Sequence, residues 1–189
     1  MSEVGKDGLP ARAFATREEW EAWLVEHGAD ERGLWLKFAK KGSGQTSTTA
    51  AQAVEVALCH GWIDGQIGRW DDAWYVVRFS PRKPRSVWSK INVATVERLL
   101  AEGRMAPAGL AAVEAGRASG TWDRAYDPAS TATVPEDLQA ALDADPVAAA
   151  AFAALDRTSR YSVLWRVQTA APRSRPRVVA EAVARLGGA

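Results

Sequence analysis

Apolar residues near the start of the chain repeat at helical spacing behind a clear helix start. Thr16–Glu19 (Thr-Arg-Glu-Glu) is a capping box, in which a hydroxyl and a carboxylate accept from backbone N–H groups of the first turn. Trp20, Trp23 and Leu24 then fall on one helical face, and Gly28 provides a stop. The pattern predicts a helix whose two tryptophans face a core.

Strand-like segments and a second capping box follow. The Thr49–Gln52 box predicts a second helix that ends at Gly61. The other predictions are a strand at Leu34–Phe38, a loop at Lys40–Thr49, and an antiparallel hairpin made by Trp62–Ile67 and Trp74–Phe79. This half of the chain therefore predicts a small antiparallel sheet packed with helices.

The second half of the chain is helical in its periodicity. Ser86 or Ser89 is a predicted helix cap, Pro107 is suited to the first position of a further helix, and Asp127–Thr133 has the composition of a linker. Four short helices are predicted after the linker.

These patterns predict an α+β fold followed by a C-terminal helical domain. The predicted boundaries are residues 12–127 for the α+β body and residues 134–188 for the helical domain. A chain of 189 residues is long enough to bury a substantial core in this arrangement.

Composition and charge narrow the possible partners and the compartment. The net charge is +1, so no overall field favours nucleic acid or membranes, and any basic patch must be local. The N-terminal stretch lacks a secretory apolar run, no stretch is apolar enough to cross a membrane, and the one cysteine fits a reducing compartment. We expect a cytoplasmic protein with no membrane partner. Two histidines and one cysteine without paired spacing predict neither a metal nor a cofactor.

Cations and hydroxyls gather around two prolines after the predicted hairpin. Five cations lie between Arg78 and Lys90, and a helix start there offers unpaired N–H groups to an anion. The residues predicted to hold an anion are Arg82, Lys83, Ser86, Ser89 and Lys90. The chain has nine tryptophans, more than a core of this size usually needs, and Trp62 and Trp88 are the predicted aromatic wall. The alternative is a solvated basic loop in which a serine only caps a helix.

Asp64 and His60 are the candidates for acid–base chemistry. Asp64 precedes Gly65, so it is a potential general base, a ligand anchor or a simple turn residue. His60 closes the second predicted helix, where a cation interacts favourably with the helix dipole. Because Gly61 interrupts the helix between them, the spacing does not place the two side chains on one face.

Several of these runs resemble the YdeI/OmpD-associated family, often described as bacteriocin-protection proteins. The matching runs are Glu55–Gln66, Arg78–Pro84, Trp88–Asn92 with Ser86, and Glu102–Met105 with Gly109 and Leu110. The resemblance covers roughly residues 14–187 and implies a C-terminal helical domain and a link to tolerance of antimicrobial peptides and bacteriocins. The sequence departs from the family at Ala171, where a lysine is expected, and at His60, where an aromatic residue is common.

The favoured function is a cytosolic binding protein for a small anionic or aromatic molecule, with Asp64 orienting a donor group of that ligand. Two alternatives stay open. One is an enzyme that uses Asp64 or His60 as general acid or base in the same pocket. The other is a regulatory or nucleic-acid-binding module that uses the basic loop and Arg173, Arg175 and Arg177.

Overall fold

The computed structural model describes residues 3–5 and 7–188, and its elements form an α+β fold, as predicted. In chain order the elements are β1 (Glu3–Val4), β2 (Pro10–Ala13), α1 (Arg17–His27), β3 (Leu34–Ala39), α2 (Ala50–Cys59), β4 (Trp62–Arg69), β5 (Trp74–Pro81), α3 (Lys90–Ala101), α4 (Pro107–Ala118), α5 (Glu136–Asp143), α6 (Pro146–Ala154), α7 (Arg157–Thr169) and α8 (Arg175–Gly187).

The chain divides into two compact units. The first contains the chain up to Ser86 together with Ala94–Ala118, and the second contains Val87–Val93 and the chain from Ser119 onward. The predicted domain boundaries at residues 12–127 and 134–188 stay predictions. No helix within the described ranges has the length and apolar character needed to span a bilayer.

Five strands of the first unit form one mixed sheet in the order β1-β2-β3-β5-β4. The predicted strand and hairpin are present, and both β3–β5 and β4–β5 pair antiparallel. The sheet is not wholly antiparallel, however, because β2 pairs with β3 in parallel. Neither β1 nor β2 was predicted, since Pro-Ala-Arg-Ala in β2 has almost no apolar alternation.

Helices α1 and α2 cover one face of this sheet. Both predicted capping residues are confirmed: the Thr16 hydroxyl accepts from the Glu19 N–H, and Thr49 and Gln52 form a complete capping box. The core between helices and sheet is largely aromatic and aliphatic: Trp20, Trp23, Leu24, Leu34, Leu36, Phe38, Val56, Trp62 and Phe79. Aromatic packing of this kind contributes area burial and preferred ring geometries together.

The opposite face of the sheet is also partly buried. Leu9, Ala11, Trp35 and Val76 form a smaller cluster there, with Trp70 packed against it. Five of the six residues of β3 are therefore buried, although its sequence alternation would suit a strand with one wet face. We call this face of the sheet the outer face.

The helices of the second unit enclose their own core. Its buried residues are Leu138, Leu142, Ala148, Phe152, Leu164, Val167 and Val179. Asp145 and Asp156 cap α6 and α7 through side-chain bonds to backbone N–H groups, and Pro146 occupies the first turn of α6. The four helices predicted after the linker are all present.

Candidate functional site

A tryptophan-lined cavity of about 910 Å³ opens on the outer face of the sheet. We call it the outer-face groove; its lining residues are Val4, Gly5, Asp7, Trp35, Gln66, Ile67, Gly68, Arg69, Trp70 and Val76. The volume lies within the range of small-molecule sites, which are mostly apolar with a few placed polar groups. The lining has that composition.

Asp7 is the anchored acidic group of the outer-face groove. Its Oδ1 accepts from the indole N–H of Trp35 at 2.6 Å, and its Oδ2 accepts from Nε of Arg78 at 3.0 Å. The Trp35 hydrogen bond, followed by the Arg78 contact, holds the pKa of Asp7 below its ordinary value despite partial desolvation. Asp7 is therefore ionised near neutral pH and fixes the orientation of the Trp35 ring.

The backbone near Asp7 lies directly against Trp35. A Cβ atom built on Gly5 would come within 2.3 Å of Cδ1 of Trp35. Only glycine allows the chain to approach the ring this closely. The segment that carries Gly5 and Asp7 thus forms one wall of the outer-face groove.

A buried lysine fixes the tryptophans of the hairpin. The ammonium of Lys37 lies 5.1 Å from the ring centroid of Trp70 and 5.2 Å from that of Trp74. It also forms an ion pair with Glu3 at 2.6 Å, although the Lys37 side chain is only 8% exposed. A desolvated cation–π contact is stronger than an exposed one, so Lys37 holds Trp70 in place beside the groove.

Asp64 and Arg82 lie on the first unit and influence one another electrostatically. Asp64 pairs with Phe79 across the hairpin, next to a register shift between Asp64 and Ile67 that marks a β-bulge. Desolvation by surrounding protein raises the pKa of Asp64, and a backbone hydrogen bond and the Arg82 charge oppose that rise. The carboxylate is nonetheless solvent-accessible, so we take the direction as modest.

Lys83 and Ser86 close a turn with one another. The Ser86 hydroxyl accepts from the Lys83 N–H at 3.0 Å, and the Ser86 N–H donates to the Lys83 carbonyl at 2.9 Å. Arg82 donates to the Ser86 carbonyl at 3.4 Å. The turn leaves the Lys83 ammonium exposed.

Trp62 and Trp88 are packed in cores at 1% and 2% exposure. The indole N–H of Trp62 donates to the Gly28 carbonyl, and its ring makes edge contacts with Trp20. In the second unit, Trp88 packs edge-on against Trp122 at 4.8 Å. A ligand reaches either ring only if neighbouring side chains move, and the role of both as an aromatic wall stays a prediction.

Ser89 and Lys90 begin helix α3 in the second unit. The Ser89 hydroxyl accepts from the Asn92 N–H at 3.1 Å, which is the capping geometry that the sequence predicted for Ser86 or Ser89. The Lys90 ammonium forms an ion pair with Asp127 at 2.7 Å. Anion binding by these two residues stays a prediction. The structure thus divides the eight predicted ligand-binding residues between the two units.

His60 and Cys59 have mainly local partners. The imidazole Nε2 of His60 lies 3.6 Å from a Glu21 carboxylate oxygen, and no hydrogen bond or ion pair joins His60 to Asp64 within the described residues. Burial raises the pKa of the Cys59 thiol, which disfavours the reactive thiolate.

A second depression of about 430 Å³ lies beside the glycine-rich loop before α2. Its lining includes Lys41, Ser47 and Thr48, but the Thr49 capping box already occupies the helix N-terminus. Among the described residues no group of three His, Cys, Asp or Glu side chains is placed to hold a metal ion.

The outer-face groove was not predicted from the sequence. Its residues come from the β1–β2 region, from β3 and from the hairpin turn, so they are brought together only by the strand order. The available signal was that Trp35 and Lys37 alternate with the buried residues Leu34 and Leu36 on β3. A tryptophan on the second face of a strand indicates that this face is covered as well.

Two family models match consecutive segments of the chain. The model described as a domain of unknown function (DUF8412) matches residues 12–112. The model described as bacteriocin-protection, YdeI or OmpD-associated matches residues 131–187, which confirms the predicted resemblance for the C-terminal part. No curated protein and no solved structure matches the chain.

Proposed function

The chain belongs to the family described as a domain of unknown function (DUF8412), and from that premise we propose that it is a cytosolic binding protein for a small aromatic molecule. The bacteriocin-protection description of the C-terminal match supports a role in antimicrobial tolerance. In this proposal the protein protects by sequestering a toxic compound in the outer-face groove.

The tryptophan lining of the outer-face groove is the observation that supports this proposal. Trp35 and Trp70 offer large, rigid rings, and both are held by neighbours: Trp35 by Asp7, and Trp70 by Lys37. Rings that are already ordered lose little conformational entropy when a planar ligand stacks on them. Gln66 and Arg69 supply polar groups at the rim that orient such a ligand.

An anionic substituent has a second candidate position in the first unit. The predicted residues Arg82, Lys83 and Ser86 are consecutive around a closed turn, and Asp64 is electrostatically coupled to Arg82. We propose this turn as a subsite for an anionic ligand, to be distinguished from the groove by separate variants.

Titration calorimetry of the full chain with aromatic carboxylates and amines tests the proposal. We expect Trp70→Ala to weaken binding roughly tenfold or more, because ring stacking and area burial are both lost. Trp165→Ala is the matched control, since Trp165 is 38% exposed and lies in the other unit. Equal affinities for both variants, or no binding by the wild type, would contradict the proposal.

Acid–base catalysis at Asp64 is the second candidate function, and the raised pKa of this carboxyl favours it. Enzyme and binding protein differ in what happens to the compound. A binding protein returns the aromatic compound unchanged after incubation, whereas an enzyme converts many equivalents. Product formation that Asp64→Asn abolishes would replace the binding proposal with the enzymatic one.

A further inference from the structure

The last two helices carry a strong positive charge that the net charge of the chain conceals. Residues 157–187 contain seven arginines and one acidic residue, Glu181, whereas residues 119–156 contain seven acidic residues and one arginine. The two segments nearly cancel, which explains why the net charge is only +1. The basic segment is therefore local, and its arrangement decides what it can bind.

Four of the seven arginines form one exposed set, which we call the arginine face: Arg166, Arg173, Arg177 and Arg185. Arg177, Glu181 and Arg185 follow one another at four-residue spacing along α8, which places them on one side of the helix about 6 Å apart. Arg166 of α7 reaches the same side, because its guanidinium lies 3.2 Å from Glu181.

The other three arginines are engaged elsewhere or lie apart from this set. Arg175 forms a double hydrogen bond with Asp137, at 2.7 and 3.0 Å, and Arg160 stacks on the Phe152 ring at 4.3 Å. Arg157 starts α7. Of the arginines that the sequence suggested for nucleic acid, Arg175 is thus mainly structural, whereas Arg173 and Arg177 are exposed.

Glu181 is the only carboxylate that meets the arginine face within the described residues. It pairs with Arg166 and with Arg177 at 3.2 and 2.8 Å, while neither Arg173 nor Arg185 has a carboxylate within ion-pair distance in the described part of the chain. Exposed pairs of this kind are weak and exchange readily for another anion. Four guanidinium groups against one carboxylate leave a net charge of +3 on this surface.

We propose that the arginine face binds the phosphate backbone of nucleic acid. Charge complementarity selects a polyanion, because four guanidinium groups span a row of about 18 Å that a single small anion does not fill. Arginine also suits phosphate better than other anions, since its planar donors form paired hydrogen bonds to phosphate oxygens. This activity is separate from the outer-face groove.

Fluorescence anisotropy of the full chain with a labelled oligonucleotide of about 20 nucleotides tests the proposal. Each lost contact to a single strand is worth about eightfold in affinity at about 50 mM salt, so Arg173→Gln with Arg185→Gln should lower affinity roughly 60-fold and reduce the salt slope by about 1.4. The matched control is Arg12→Gln with Arg32→Gln, which removes the same charge from exposed positions in the first unit.

Glu181→Gln provides the opposite test, because it removes the one carboxylate that competes with phosphate for Arg166 and Arg177. We expect this variant to bind the oligonucleotide about eightfold more tightly. Equal losses for the two double variants, a weaker Glu181→Gln variant, or binding to phosphatidylserine vesicles in place of the oligonucleotide would overturn the proposal.

Discussion

Asp7 shows how one side chain organises the outer-face groove. It joins three parts of the chain, because its carboxylate accepts from Trp35, from Arg78 and, at 3.4 Å, from the Leu9 N–H. Sequence reasoning identified Ser89 as a possible cap because capping is local, and this was confirmed. It did not identify Asp7, because the partners of Asp7 are distant in sequence.

The Asp7 contacts make the stability of the first unit depend on pH. The folded-state pKa of Asp7 lies below the ordinary value of 3.8, so its contribution is complete above that value and is lost as the pH falls through the folded pKa. We expect Asp7→Asn to lower the free energy of unfolding by about 1 kcal/mol at neutral pH. Urea unfolding of both proteins should show this difference shrinking below about pH 4. A difference that grows in acid would contradict the assignment.

Ser89 separates capping from ligand binding. Ser89→Ala removes the acceptor for the Asn92 N–H and should cost about 1 kcal/mol of stability, whereas Ser89→Thr keeps a hydroxyl and should cost much less. Thermal unfolding and ligand titration on the same variants decide its role. If Ser89→Ala is as stable as wild type but binds ligand more weakly, Ser89 belongs to a binding site and not to a cap.

At the scale of elements, the sequence predicted those whose ends are coded locally. Capping boxes set the starts of α1 and α2, and Pro107 was correctly placed as the first residue of α4. The bulge between Asp64 and Ile67 and the parallel pairing of β2 were not predicted. Both depend on contacts across the sheet, which local propensity does not encode.

Helix α4 approaches α2 closely at one glycine, and this gives a prediction of unusual sign. Gly109→Ala normally stabilises a helix by roughly 1 kcal/mol, but here the new Cβ would lie 2.2 Å from the Cys59 carbonyl oxygen. We expect a net loss of about 1–3 kcal/mol from overpacking. The control is Ala111→Ser on an exposed position of the same helix. A stabilised Gly109→Ala variant in urea unfolding would refute the close approach.

At the scale of the whole molecule, the two units differ in family and in charge. The DUF8412 match lies within residues 12–112, and the bacteriocin-protection match lies within residues 131–187. The intervening segment contains Asp127, whose side chain meets Lys90 and Gln168 and whose carbonyl accepts from Tyr161. The linker predicted at Asp127–Thr133 is therefore anchored at its start, and its exposed part is Ala129–Thr131.

Limited proteolysis tests this organisation. We expect the earliest internal cuts in the Lys40–Thr49 loop and at residues 129–133, because neither segment lies within a helix or strand. A protease of broad specificity is required, since residues 129–133 contain no lysine or arginine. First cleavage inside residues 50–118 would contradict the division into an α+β body and a helical domain.

The position of the bound ligand is the most direct test of the proposed function. Backbone amide NMR spectra of the full chain, recorded during titration with the aromatic probe anilinonaphthalene sulfonate, report which residues the probe approaches. We predict that the largest shifts occur at Gln66–Trp70, Trp35 and Val76, the floor and rim of the outer-face groove. Shifts confined to Arg82–Lys90, or spread without a focus, would contradict ligand binding in the groove.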